Sequence, residues 1–260
     1  ESVYNTTFTN IREFVHAQNR ITQTEDKTSL NQRNLWNIGG QMQLPTAVII
    51  VGMNVLDHQR LLHDLVDHLE NKSTLMVTLQ SKDCSKPAHA LFSLVSQCIN
   101  HPRGYISEDQ SIPTSRATAN IRQLTTWYKN LCKAKGVPAG GIRIGVLLLD
   151  FECFTTEVAQ LLVTVCSNHL HEIPFTFVIG IATSVSTIHQ MLPRSVCSRL
   201  QLEKFRFSPP SQQLKLILHQ IFLDKPPFVQ LGFDSLQIIF NRFEEANISI
   251  ESFSRSVQYA

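Results

Sequence analysis

Residues 52–59 read Gly52-Met53-Asn54-Val55-Leu56-Asp57-His58-Gln59 and follow an apolar run at 47–51. The stretch has the spacing of the phosphate-cradling pattern G-x-x-x-x-G-K-[ST], placed where a strand turns into a helix. Gly52 keeps the first glycine. Asp57 stands for the second glycine, His58 for the lysine and Gln59 for the hydroxyl residue. Each exchange removes a function. A side chain and a negative charge at Asp57 obstruct backbone N–H groups that would close on phosphates. A histidine, with a reference pKa near 6.5, is mostly neutral at pH 7 and does not replace a fixed cation. A Gln amide is a poor Mg²⁺ ligand beside a Ser or Thr hydroxyl. Two like charges about 5 Å apart repel by about 3 kcal/mol at an effective dielectric near 20. A triphosphate beside Asp57 meets that repulsion with no lysine to offset it. Asp57 also suits the N-cap of the following helix.

A second marker is Val146-Leu147-Leu148-Leu149-Asp150, an apolar strand ending in an acid. Asp150 has the place of a Mg²⁺-holding carboxylate. The next residue, which would activate water, is Phe151, and Glu152 comes one place late, so it should point elsewhere. A third marker is Arg199, in Pro193-Arg194-Ser195-Val196-Cys197-Ser198-Arg199 before the last strand. A fixed guanidinium there can serve a neighbouring subunit's nucleotide even if its own subunit binds none. A solvated surface arginine is the competing reading. His58, His63 and His68 recur every five residues, so their rings stand roughly 140° apart on a helix, whereas a metal pair wants i, i+4. No metal site is expected. Arg116, Arg122, Lys129, Lys133, Lys135 and Arg143 surround Trp127-Tyr128 and could touch phosphates. Interleaved charge on a helix is more often its wet face.

The elements that must position these residues alternate. Residues 47–51, 75–79, 144–149, 175–182 and 200–205 are apolar strands. Helical periodicity falls between them, at 57–71, 90–99, 121–131, 158–169 and 187–192. Unbroken apolar strands separated by helices mean a parallel sheet covered on both faces. The fold class is therefore α/β: a three-layer P-loop-type domain with a parallel five-stranded sheet over residues 44–207, followed by a small helical lid at 208–260. The lid pattern is cut short at residue 260, which suggests a fragment. Residues 1–43 hold an amphipathic helix, with Phe8, Ile11, Phe14 and Val15 at helical spacing, and a polar linker ending at Gly39-Gly40. That helix reads as an exposed tail that packs on partners.

Composition agrees with a folded chain. At roughly 150 residues per domain, 260 residues make a large domain plus a small one. Apolar residues are 43% and charged residues 17%, which excludes disorder over most of the length. The formal charge is +2, so tight DNA binding by bulk charge is not predicted. No apolar run approaches the roughly 20 residues that span a bilayer, and no signal peptide opens the chain. None of the six cysteines is in C-x-x-C spacing, so they read as small hydrophobes in a reducing compartment.

Several runs carry a specific likeness. Leu44-Pro45-Thr46-Ala47, the turn from Gly52 to His58, and Leu79-Gln80-Ser81-Lys82-Asp83-Cys84 resemble the third-subunit family of the eukaryotic origin recognition complex. So do His169-Leu170-His171-Glu172-Ile173-Pro174 and Ile179-Gly180-Ile181-Ala182-Thr183-Ser184. The resemblance implies an AAA+-like base with a lid, acting as a non-catalytic subunit of a DNA-bound ring in the nucleus. It implies neighbours in that ring, notably the second and fifth subunits, origin DNA reached through the assembled complex, and a part in helicase loading. It implies no bound cofactor, no small-molecule substrate and no membrane. Thr183 falls where active relatives place a polar nucleotide sensor, and Arg199 falls at the trans-arginine position. Two other readings stay open from the residues alone: an active P-loop NTPase with an atypical loop, and a stand-alone DNA-binding module.

Overall fold

The computed structural model describes residues 4–23, 37–38, 41–51, 55–104, 120–138 and 140–207, with isolated positions beyond, and describes no side chains at 17–23, 37–41 or 55–59. The helical lid expected at 208–260 lies outside the described residues.

Five strands form one parallel sheet: β1 (Leu44–Ile50), β2 (Thr74–Leu79), β3 (Arg143–Leu148), β4 (Phe175–Ile181) and β5 (Leu200–Arg206). Their spatial order is β2-β3-β4-β1-β5. β1 lies between β4, with Thr46 opposite Phe177, and β5, with Leu44 opposite Leu200. The strands alternate sides with period two. Val48, Val77, Val146 and Phe177 face one apolar core, and Ala47, Ile49, Met76, Leu147 and Val178 face another. Both faces must therefore be covered, and both are.

The first face carries α3 (Pro87–Ile99), α4 (Ile121–Ala134), α5 (Thr156–Asn168) and the short helices α6 (Ser186–Met191) and α7 (Arg194–Cys197). Their starts are locally encoded. α3 begins with a proline in its first turn. α4 begins with a reciprocal capping box between Asn120 and Gln123. The Val158 N–H donates to the Thr155 hydroxyl at the start of α5.

The second face carries α1 (Asn5–Gln23) and α2 (Val55–Leu69). This corrects the expectation of an exposed tail helix. Phe8, Ile11, Phe14 and Val15 are all buried, in one cluster with Leu61, Leu62, Leu65 and Leu69 of α2. Phe14 packs edge-on against Phe205 and Phe8 against Phe207. Each buried side chain of this size contributes roughly 1.5–3 kcal/mol. α2 alone leaves the β1–β5 side of this face uncovered, and α1 fills it. The linker also gains structure, as Asn37–Ile38 pairs with Gln41–Met42 in a two-residue antiparallel ladder.

α2 lies close to the sheet because β4 has a glycine beneath it. A Cβ on Gly180 would sit 2.8 Å from Leu62 Cδ1 and 2.9 Å from the Leu149 carbonyl oxygen. All six cysteines are free, and Cys84, Cys98, Cys132 and Cys166 are buried. Burial pushes the Cys84 thiol up to about 11 and raises Cys98 and Cys166 further, so these act as apolar filler.

A polar layer fastens α1 at the amino end of the sheet. The Asn71 side-chain oxygen accepts from the Ser73 N–H at 2.8 Å and from the Ser73 hydroxyl at 2.9 Å. That fixes the amide orientation, so Asn71 Nδ2 donates to His16 Nε2 at 2.9 Å. His16 Nε2 must then carry no proton. Burial, then Arg12 and Arg143, lower its pKa. Arg143 itself is buried and donates to the Thr176 hydroxyl at 3.1 Å. Its pKa falls to about 10, chiefly through burial, so it stays cationic at neutral pH. Nearby, His101 Nε2 lies 3.0 Å from Glu70 Oε1, yet burial outweighs the carboxylate and lowers its pKa too.

Two outcomes test this packing. Gly180→Ala puts a methyl against a backbone carbonyl that cannot withdraw, and should cost about 1–3 kcal/mol. Thermal unfolding should register each lost kcal/mol as roughly 2–4 °C; an unchanged Tm contradicts the close approach. Acid is the second probe. His16 and His101 have folded pKa values below the unfolded 6.5, so the unfolded chain binds more protons below that pH. Their contribution is complete above about pH 6.5 and is lost as pH falls through the folded values. Tm should drop between pH 7.5 and 5, and His16→Gln should flatten that drop.

Candidate functional site

In an open parallel sheet the ligand crevice lies at the carboxyl ends of the strands where the winding reverses. Here that point is between β1 and β4. The chain leaves β1 through α2 on one face and reaches β4 through α5 on the other. The two strand ends are joined by the Val51 N–H donating to the Ile181 carbonyl at 3.0 Å.

In the chain, the degenerate turn follows β1. Gly52 itself lies outside the described residues. α2 begins at Val55, so Asp57, His58 and Gln59 are already helical. This corrects the N-cap assignment: Asp57 is the third residue of the helix, inside its first turn. A carboxylate there still complements the positive end of the helix dipole. An extended phosphate cradle needs its loop open as far as the second glycine position, and here the helix has taken up residues 55–57.

Asp150 also shifts slightly. β3 ends at Leu148, and Leu149-Asp150 form a turn held by the Leu149 N–H to the Leu79 carbonyl at 3.1 Å. Asp150 is half-buried, in front of a single 3₁₀ turn, Phe151–Cys153. The Phe151 ring is fully buried in the core. The position where an acid would activate water is therefore a packing position.

Glu152 points sideways, to the end of β4. Its Oε1 accepts the Thr183 N–H at 3.0 Å and the Thr183 hydroxyl at 2.7 Å. The Thr183 oxygen lies 3.0 Å from the Thr187 hydroxyl, which donates to it. The residue at the sensor position thus has its hydroxyl bonded to a carboxylate of the same chain. Sequence reasoning missed this pair. The two residues are 31 positions apart, and each looked vestigial when taken singly. A polar groove of the described surface lies elsewhere, beside the carboxyl end of β2, lined by Lys82, Asp83, Ser85, His89 and Gln97.

Arg199 is at the opposite end of the sheet, just before β5. Its carbonyl accepts the Leu44 N–H at 2.7 Å. Its Nη1 donates to the Ser167 hydroxyl at 3.1 Å and to Asn168 Oδ1 at 2.7 Å, at the carboxyl end of α5. The structure does not bring it to the degenerate turn.

Of the basic residues around Trp127, Lys129, Lys135 and Arg143 bond within the chain, and Arg116 lies outside the described residues. Trp127 and Tyr128 are buried, and the Tyr128 hydroxyl donates to the Ile142 carbonyl at 2.6 Å. Lys129 pairs with Glu172 at 3.6 Å and Arg103 with Glu70 at 3.6 Å. These rings cannot serve as stacking platforms for bases without unfolding α4. Among the described residues, no cluster of three His, Cys, Asp or Glu side chains could hold a metal ion, and no helix is long and apolar enough to cross a membrane.

Comparison with known proteins places this architecture. The chain is 31% identical to the rat protein named origin recognition complex subunit 3 over 244 residues, covering 87% of this chain and 34% of the rat protein. The human protein of the same name gives 31% over 245 residues, with the same coverage. The chain thus spans about a third of the length of these relatives. Among solved structures, it is similar to a chain of the Drosophila origin recognition complex bound to GC-rich DNA and Cdc6. The TM-score is 0.71 at 25% identity, over 99% of this chain and 40% of that one. The Aeropyrum pernix ORC2 protein in its ADP form shares the fold, with a TM-score of 0.52 at 15% identity over 94% of this chain and 60% of that one. The family described as origin recognition complex subunit 3 N-terminus matches residues 1–260 throughout, and the chain belongs to that family.

Proposed function

We propose that this chain is the AAA+-like base of an origin recognition complex subunit that works through its interfaces and does not hydrolyse ATP. In this reading it helps to assemble a ring on DNA at replication origins in the nucleus and takes part in helicase loading. Its ring neighbours are the second and fifth subunits, and it meets origin DNA through the assembled complex. The family match and the likeness to a DNA-bound complex support the setting. The observation that carries the non-catalytic part is the chemistry of the switch point. Asp57, His58 and Gln59 occupy the phosphate-contacting positions inside a helix that begins at Val55, while Glu152 bonds the Thr183 hydroxyl. The sequence supplies a carboxylate and an imidazole where a phosphate loop supplies a glycine and a lysine.

Arg199 belongs to the same proposal. A subunit without a nucleotide of its own can offer an arginine to the nucleotide of its neighbour. Arg199 lies at an end of the sheet remote from the degenerate turn, on a half-buried and oriented guanidinium.

Two experiments test the proposal. Titration of Mg-ATP into the chain, followed by calorimetry, should give no saturable heat. A micromolar Kd would overturn the non-catalytic reading in favour of an active nucleotide hydrolase. Arg199→Ala, placed in the full-length subunit and assembled with its partners, should leave assembly intact and lower ATP turnover of the ring several-fold. Unchanged turnover would make Arg199 a structural tie only.

A further inference from the structure

The way Arg199 is held carries one step more, and it rests on the reading of Arg199 as a residue offered to a neighbour. Arg199 Nη1 carries two hydrogens, and both are used: one goes to Ser167 Oγ at 3.1 Å and one to Asn168 Oδ1 at 2.7 Å. Ser167 donates its own hydroxyl hydrogen to the Thr164 carbonyl at 3.1 Å, which turns its lone pairs toward the guanidinium. Among the described residues, Nε and Nη2 have no hydrogen-bond partner, and no carboxylate pairs with Arg199. The fork is therefore anchored through one nitrogen and open along the Nε–Nη2 edge. That edge presents parallel N–H donors with the spacing of two oxygens of a phosphate or carboxylate.

Both anchors are neutral. An aspartate at position 168 would hold the guanidinium more tightly, but it would neutralise the charge and compete with an incoming anion. A serine and an asparagine orient it and leave the charge available. Ordering the side chain before the partner arrives removes an entropic cost that binding would otherwise meet.

We propose that Ser167 and Asn168 are positioning residues that hold Arg199 ready for a phosphate group of the nucleotide bound by the adjacent subunit. The test uses the full-length subunit assembled with its partners, with assembly checked by size-exclusion chromatography and steady-state ATP turnover as the readout. Arg199→Ala sets the full effect. Ser167→Ala with Asn168→Ala should lower kcat several-fold, by less than Arg199→Ala, with KM little changed. In the Arg199→Ala background the same pair should have no further effect, because residues that act only through the arginine lose their influence with it. Asn168→Asp, which keeps the acceptor and the shape, should also lower kcat while the ring still assembles. A drop of equal size with and without Arg199, or no drop while Arg199→Ala itself lowers turnover, would overturn the positioning role. No effect of Arg199→Ala would overturn the reading beneath it.

Discussion

The structure depends on one constraint: a parallel sheet has two apolar faces, and both must be kept from water. On the first face α3, α4 and α5 meet this need with ordinary crossover helices. On the second, the only crossover helix is α2, because the chain passes from β1 to the far edge strand β2 in a single step. α2 cannot cover β1 and β5 as well. The N-terminal helix is drawn in for that reason, and Ile11 and Val15 become as buried as any strand residue. Gly180, the His16–Asn71 bond and the cationic Arg143 beneath them are consequences of closing that layer tightly.

The same constraint leaves the carboxyl ends of β1, β3 and β4 together, whatever residues stand there. A nucleotide-binding relative of this fold fills the crevice with a ligand whose phosphates satisfy the exposed donors. Here two donors at the end of β4, the Thr183 N–H and hydroxyl, both go to Glu152. Phe151 is buried in the core. Loss of each single group would weaken a nucleotide site. For one of these groups, the Thr183 hydroxyl, the chain supplies an internal carboxylate as partner.

Much of this was legible in the chain because buried parallel strands have a plain signature. Residues 144–149 are apolar without interruption and have no other structural reading. The five strands and the helices between them follow, to within one to three residues at most ends. Strand order was not legible, since nothing local tells β1 to lie between β4 and β5. The amphipathic face of α1 announced that Phe8, Ile11, Phe14 and Val15 needed cover, but periodicity does not name the cover. The cover is α2 and the edge of the sheet, not a partner protein. The site followed the same rule. Composition of the turn was visible at Asp57 and His58, yet periodicity alone does not fix that α2 begins at Val55. The Glu152–Thr183 and Arg199–Asn168 bonds each span 31 residues and leave no local trace.

The two ends of the sheet therefore differ in kind. At the carboxyl end, Glu152 is paired with Thr183, and Phe151, next to Asp150, is a core residue. At the amino end, Arg143 is buried and bonded to Thr176, but Arg199 is half-exposed, with one edge of its guanidinium unpaired among the described residues. A half-exposed guanidinium keeps much of its hydration, so two neutral anchors orient Arg199 and leave its charge in place. The two proposed roles fit one rigid sheet: the degenerate turn stands at one end, in the chain segment before α2, and Arg199, oriented by Ser167 and Asn168, stands at the other.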